Sequence, residues 1–228
     1  MFKTTAVAPI LAALLVALTG CAPTLDEMVA SPSTTPPASE TPAAEATDPL
    51  DEVTRILIRT DHVEFGDDAG WTLGGFDYAD DPAPAIEALT TIFGAEPTRY
   101  AQPQSTEAIP STAYEWDGFL LGVREENTAA WYLGGLYVRV TKASVHGVAV
   151  QTIEGITVGT SAAEASSHAI ETTARRDFVE AQIDPISVPP APEDTSPLPD
   201  ARVFVGVLAP SAAGLVDRIY APWINFGP

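Results

Sequence analysis

Alternation of apolar and polar positions dominates the chain from residue 53 onward. "LYVRVTKA" (Leu136–Ala143) sets Leu136, Val138 and Val140 on one face and Tyr137, Arg139 and Thr141 on the other. That period of two marks a half-buried strand. "GFLLGV" (Gly118–Val123), "VAVQTI" (Val148–Ile153) and "RVFVGVL" (Arg202–Leu208) read as strands too, and "VTRILIR" (Val53–Arg59) as the first of them. Two segments break to helical spacing. In "DDPAPAIEALTTIFG", Asp81 stands as N-cap, Pro82 at the first helical position and Gly94 just past the end, with Ile86, Leu89 and Phe93 on one face. Start, face and stop agree on a helix. In "TSAAEASSHAIETT", Ser161 and Glu164 have the spacing of a capping box. The apolar face of that helix (Ala165, Ala169 and Ile170) is small, so it must sit close to its support.

These segments recur. Gly75, Phe76, Tyr78, Asp81 and Ala85 match Gly155, Ile156, Val158, Ser161 and Ala165 at a shift of 80, and Leu73 matches Ile153 at the same shift. Downstream, Gly135–Ala143 echoes Gly214–Pro222 at a shift near 79. Self-similarity at a fixed period signals a repeated structural unit. The expected fold is therefore α+β: a strand–helix–strand–strand unit used twice, giving a mainly antiparallel sheet with two helices packed on one side. Residues 53–143 form the first half and 144–228 the second. The loops differ, Gln102–Ser111 in one half and the proline-rich Asp184–Asp200 in the other.

Residues 21–52 have another character. "APTLDEMVASPSTTPPASETPAAEATDPLD" (Ala22–Asp51) is rich in Pro, Ala, Ser, Thr and Glu, with almost nothing bulky to bury, and reads as a disordered stalk. A stalk of about 30 residues spans roughly 30 Å as a coil and approaches roughly 90 Å when polyproline-like. Before it, residues 1–20 run from one cation, Lys3, through an apolar stretch, Val7–Leu18, to small residues. This is the layout of a secretory signal. The apolar stretch is shorter than the roughly 20 residues a membrane span needs, and no later stretch is longer.

At Leu18, Thr19, Gly20 and Cys21 the chain resembles a bacterial lipoprotein precursor, whose lipobox is an aliphatic residue, two small residues and cysteine. The resemblance implies cleavage between Gly20 and Cys21, a diacylglyceryl group on the Cys21 thiol and a protein held at the cell membrane on its extracytoplasmic side. Two acyl chains anchor stably where one binds only marginally. Cys21 is the only cysteine, which excludes internal disulfides and cysteine-based zinc sites.

Charge narrows the partners. The chain carries 11 bases and 31 acids; removing residues 1–20 removes Lys3 and no acid, leaving 10 against 31, or −21. Such a surface repels nucleic acid, which favours basic patches. The acidic turns "FGDDAG" (Phe65–Gly70) and "YADDP" (Tyr78–Pro82) do not match a calcium loop, and no metal or cofactor site is expected.

The helix-and-sheet repeat also resembles, through "GITVGTSAAEA" (Gly155–Ala165), the β-lactamase-inhibitor-protein fold and the small assembly lipoproteins related to it. That resemblance implies a layered domain whose sheet face or loops bind a protein partner. Catalytic signatures are missing: there is no nucleophile elbow, H-E-x-x-H, phosphate loop or dinucleotide fingerprint. His62, His146 and His168 stand apart in sequence, and Glu115 and Asp117 flank Trp116 as rim carboxylates rather than a catalytic pair. Among the aromatics, Trp131, Tyr132 and Trp116 are the candidates for an interface, because Trp and Tyr offer large contact area with a polar handle. The reading that results is a lipid-anchored, non-enzymatic binding module of the cell envelope, with a protein or envelope polymer as partner. The alternatives are an envelope enzyme whose site is assembled from scattered Asp, Glu and Ser, or an inhibitor of a secreted hydrolase.

Overall fold

A computed structural model describes residues 48–102, 110–125, 134–188 and 201–225; the described residues belong to one compact unit. After a 3-10 turn at Pro49–Glu52, the chain forms β1 (Arg55–Ile58), β2 (His62–Gly66), β3 (Thr72–Asp77), α1 (Pro82–Phe93), β4 (Thr98–Ala101), β5 (Ser111–Trp116), β6 (Phe119–Arg124) and β7 (Leu136–Val140). There follow β8 (Ser144–Val145), β9 (Val148–Thr152), α2 (Ala162–His168), β10 (Glu171–Ala174), β11 (Val179–Ser187), β12 (Arg202–Ala209) and β13 (Arg218–Asn225). The fold is α+β, and every strand pairing is antiparallel except that of β1 with β9.

Local chemistry sets both helix starts. Asp81 caps α1 by accepting the Ala83 N–H at 2.9 Å, Pro82 enters first, and Gly94 closes the helix in the left-handed conformation at φ 60°. Ser161 caps α2, accepting the Glu164 N–H at 3.1 Å. α2 stops at His168, where Ala169 turns extended, so Ile170 leaves the helical face and lies 61% exposed. This corrects the expectation that Ile170 extends the apolar side of that helix.

The strands divide into two sheets, ordered β3-β2-β1-β9-β8 and β10-β11-β12-β13-β7-β6-β5-β4. Each helix follows a hairpin (β2–β3 or β8–β9) and precedes a four-strand meander (β4–β7 or β10–β13). The meanders meet through their last strands, with Val140 opposite Ile219. The caps Asp81 and Ser161 are 80 residues apart, and Ala85 and Ala165, also 80 apart, are both 1% exposed. The downstream echo does not superpose: Leu136 is fully buried in β7, whereas Leu215, its match at a shift of 79, lies before β13 and is 58% exposed.

One contiguous core joins both sheets. Ile56, Ile58, Val63, Phe65 and Val150 meet Phe119, Leu121, Val138, Val140, Val205, Val207 and Ile219. Each fully buried side chain of this kind contributes about 1.5–3 kcal/mol. α1 adds Ala85, Leu89 and Phe93, and α2 adds Ala165. The Phe93 ring lies 5.5 Å from Phe119 and 6.3 Å from His146, so the end of α1 touches both sheets.

Candidate binding face

Because successive side chains in a strand point to opposite faces, the residues between the core positions of the eight-stranded sheet form its outer face. The pairing register aligns one row across all eight strands: Thr98, Glu115, Leu120, Arg139, Tyr220, Gly206, Gln182 and Glu171. Neighbouring rows add Tyr100, Arg124, Tyr137, Glu180, Arg202, Phe204, Arg218 and Trp223. Both helices bury their apolar residues in the core on the other side, so side chains provide the outer layer here among the described residues.

Glycines let that layer lie flat. A Cβ on Gly122 of β6 would overlap the Tyr137 ring of β7, and one on Gly206 of β12 would stand 3.3 Å from the Trp223 ring of β13. In both meanders, then, an aromatic from the last strand lies across a glycine of the strand before it. Tyr137 shares a hydrogen bond with Ser111 at 2.9 Å and carries the Arg124 guanidinium 5.0 Å from its ring centre; Arg124 also donates to the carbonyls of Gly134 and Leu136. Trp223 leans on Tyr220 at 5.2 Å, and Gln182 donates its side-chain N–H to the Glu180 carboxylate at 3.4 Å. Burial pushes the Glu180 carboxyl above its ordinary pKa; Arg175 and hydrogen bonds from Gln182 and Trp223 oppose the rise.

Beside the other half of the row, Tyr100 donates its hydroxyl to Glu115 at 2.5 Å. Burial and then Glu115 raise the Tyr100 phenol, with Arg139 opposing. Arg139 Nε is buried without an acceptor, and the side-chain oxygen of Gln182, a fully buried residue on the same row, is buried without a donor. Burial of such groups without partners is costly, so they mark unmet hydrogen-bonding capacity on this face.

Arginine accumulates here. Arg124, Arg139, Arg202 and Arg218 share the outer face with Glu115, Glu171 and Glu180. Elsewhere the chain holds 28 acids against 7 bases.

A second feature sits where the sheets come together. Thr60, just past β1, donates its N–H to the Asp184 carboxylate at 3.2 Å and its hydroxyl to the Asp184 carbonyl. Beside it, a cavity of about 410 Å³ is lined by Asp61, Asp77, Tyr78, Ile186, Val203 and neighbours. Tyr78 donates to the Arg59 carbonyl at 3.1 Å, and its phenol is held well above the ordinary range by burial, then by Asp61 and Asp184. Another cavity, of about 470 Å³, lies between β3 and α1 and is lined by Phe65, Phe76, Pro84 and Ala88 among others.

Of the candidates read from sequence, Gly20, Cys21, Trp131 and Tyr132 lie outside the described residues. Trp116 is a core residue and not an interface one: it is 2% exposed, lies 5.8 Å from Phe93 and donates its indole N–H to the Ala95 carbonyl at 2.9 Å. The alternation of β5 turns it toward the core and leaves Glu115 outside. Glu115 and Asp117 do not converge, since Glu115 accepts from Tyr100 while Asp117, in the following turn, pairs with Lys142 at 2.5 Å. The acidic turns bind their own backbone: Asp67 accepts the Trp71 N–H and Asp80 the Asp77 N–H. The histidines stay apart, with His62 on Asp61 at 2.6 Å and His168 3.9 Å from Glu154. Among the described residues no three His, Cys, Asp or Glu side chains are placed to share a metal ion, and no helix is long and apolar enough to cross a membrane.

Sequence reading passed over Arg139, Tyr100 and Gln182 as site residues. The polar side of "LYVRVTKA" was the available signal, since it places Tyr137 and Arg139 together on a face that the core does not use. Comparison with known protein families, with curated proteins and with solved structures finds no match for this chain.

Proposed function

We propose that this chain is a lipid-anchored binding protein on the extracytoplasmic side of a bacterial cell membrane, engaging its partner through the outer face of the eight-stranded sheet. One observation carries the reading: four arginines and five aromatics (Tyr100, Tyr137, Phe204, Tyr220 and Trp223), all but the buried Phe204 at least partly accessible, gather on one face of a chain whose net charge is −20. Aromatic residues and arginine dominate the energetically important centres of protein interfaces. Leu120, Phe204, Glu180 and Gln182 of that face are nearly or fully buried, and Tyr100, Tyr137, Arg139, Tyr220 and Trp223 belong to its accessible part. The lipobox at Cys21 and the stalk support the location, since acyl chains hold the protein at the bilayer while the spacer gives the domain reach.

Photo-crosslinking in living cells tests this. A crosslinker at position 100 or 220 is expected to capture a partner, and one at Gln151, on the five-stranded sheet, is expected to capture none. Absence of any adduct at 100 and 220 overturns the reading.

A further inference from the structure

Building on the binding-face reading, the geometry points to Arg139 as the grip for a carboxylate: the face takes a protein partner that presents an Asp or Glu side chain between Tyr100 and Tyr220. Arg139 sits on β7 in the middle of the sheet, directly opposite Leu120 on one side and Tyr220 on the other. It differs from the other arginines of the face. Arg202 pairs with Glu171 at 3.7 Å and Arg218 with Asp217 at 3.0 Å, while Arg124 donates to two carbonyls of its own sheet. No described carboxylate pairs with Arg139. Its charge opposes the rise in pKa of the nearby Tyr100 phenol, whose hydroxyl is committed to Glu115, and its Nε is buried without an acceptor.

A half-buried guanidinium that takes part in no described ion pair is suited to a carboxylate, which accepts from the N–H groups at its accessible end. Tyr220 stands opposite Arg139 and Tyr100 stands nearby on the same face, placed to surround a bound carboxylate as the rim of an interface centre does. Charge sets the orientation. A partner's carboxylate is repelled by the acid-rich remainder of the chain and attracted only on the arginine-bearing face.

The test uses the acylated full chain in phosphatidylcholine nanodiscs and a randomised short-peptide display library as probe. Selected peptides are expected to be enriched in Asp and Glu. Replacing their acid by its amide, or Arg139→Gln in the protein, should weaken binding about tenfold, the scale of a charge-assisted contact. Arg139→Glu should reselect peptides bearing Lys or Arg. Melting temperatures and circular dichroism establish that each variant is folded.

Peptides that lose binding on Tyr220→Ala but show no acid enrichment and no response to Arg139→Gln overturn the carboxylate assignment and leave the binding face standing. Peptides indifferent to Tyr220→Ala, Trp223→Ala and Arg139→Gln alike overturn the face itself. Tighter peptide binding after the stalk's acids are changed to amides assigns the face to the chain's own stalk and overturns the partner proposal.

Discussion

Thr60 and Asp184 are 124 residues apart in sequence and joined by two hydrogen bonds, from the Thr60 amide to the carboxylate and from its hydroxyl to the carbonyl. Thr60 follows a strand of the five-stranded sheet; Asp184 lies at the β11 irregularity between Ile183 and Ile186 in the eight-stranded one. The contact ties the two sheets beside the core, and the 2% exposure of Thr60 leaves little water to replace a lost partner. Asp184 holds φ 51°, a backbone region tolerated by Asp and Asn better than by Ala.

Asp184→Ala is therefore expected to destabilise by about 2–3 kcal/mol, from the unpaired Thr60 amide and the backbone strain together. Asp184→Asn, which keeps an acceptor and the backbone preference, should cost less than half of that. Denaturant unfolding monitored by tryptophan fluorescence measures both.

The helix caps predict equal and independent losses. Asp81→Ala and Ser161→Ala should each cost about 1 kcal/mol, because each leaves a first-turn N–H without its acceptor. The double variant should come close to the sum, since the caps share no partner. A double loss well below the sum would show that the two caps are coupled, and no loss in one single variant would show that its cap is unformed.

Glycines on the outer sheet face should rank by the space above them. Gly122→Ala drives a methyl into the Tyr137 ring and is expected to cost about 2–3 kcal/mol as overpacking, with loss of the Ser111–Tyr137 hydrogen bond. Gly206→Ala meets the Trp223 ring at 3.3 Å and should cost less. Gly135→Ala meets nothing within 4 Å and should be neutral or slightly stabilising. Chemical denaturation of the three variants orders them.

Glu180 gives a pH signature. Burial raises its pKa in the folded protein, so between the ordinary glutamate pKa and that higher value the native state binds more protons than the unfolded state. Its contribution is present below the ordinary value and lost as pH rises through the folded one. Glu180→Gln keeps an acceptor for Gln182 and Trp223 and cannot ionise. It should flatten this part of the pH–stability curve and raise the melting temperature at neutral pH relative to wild type. A variant whose curve matches wild type from acid to neutral pH would contradict this.

Anchoring is tested at Cys21. Cys21→Ser is expected to abolish acylation, seen as loss of the lipid mass in intact-protein mass spectrometry, and to release the protein from the membrane fraction.

Residues whose structure is decided by near neighbours were legible in the chain. Asp81, Pro82 and Gly94 bound α1 because a cap acts within one turn, and the alternation of Leu136, Val138 and Val140 named β7 because a strand's two faces follow directly from its period. The repeat was visible at Asp81 and Ser161, where both copies need a cap, and misleading at Leu136 and Leu215, where chance likeness of short apolar words stood in for equivalent positions. Trp116 illustrates the limit: alternation says that Trp116 and Glu115 face opposite ways, but which way is inward depends on the strand's partners.

Composition, spacing and local periodicity, which act over a few residues, thus determined both helices with their caps, five of the thirteen described strands, the α+β class and the acidic charge balance. Tertiary contact alone decided the division into two sheets, the parallel pairing of β1 with β9 between residues 94 apart in the chain, and the assembly of Arg139, Tyr100, Tyr220 and Gln182 on one sheet face. The reason is physical. Pairing register is set by burial of whole faces against distant strands, and nothing in the immediate surroundings of Arg139 in the chain records which side chains will stand beside it.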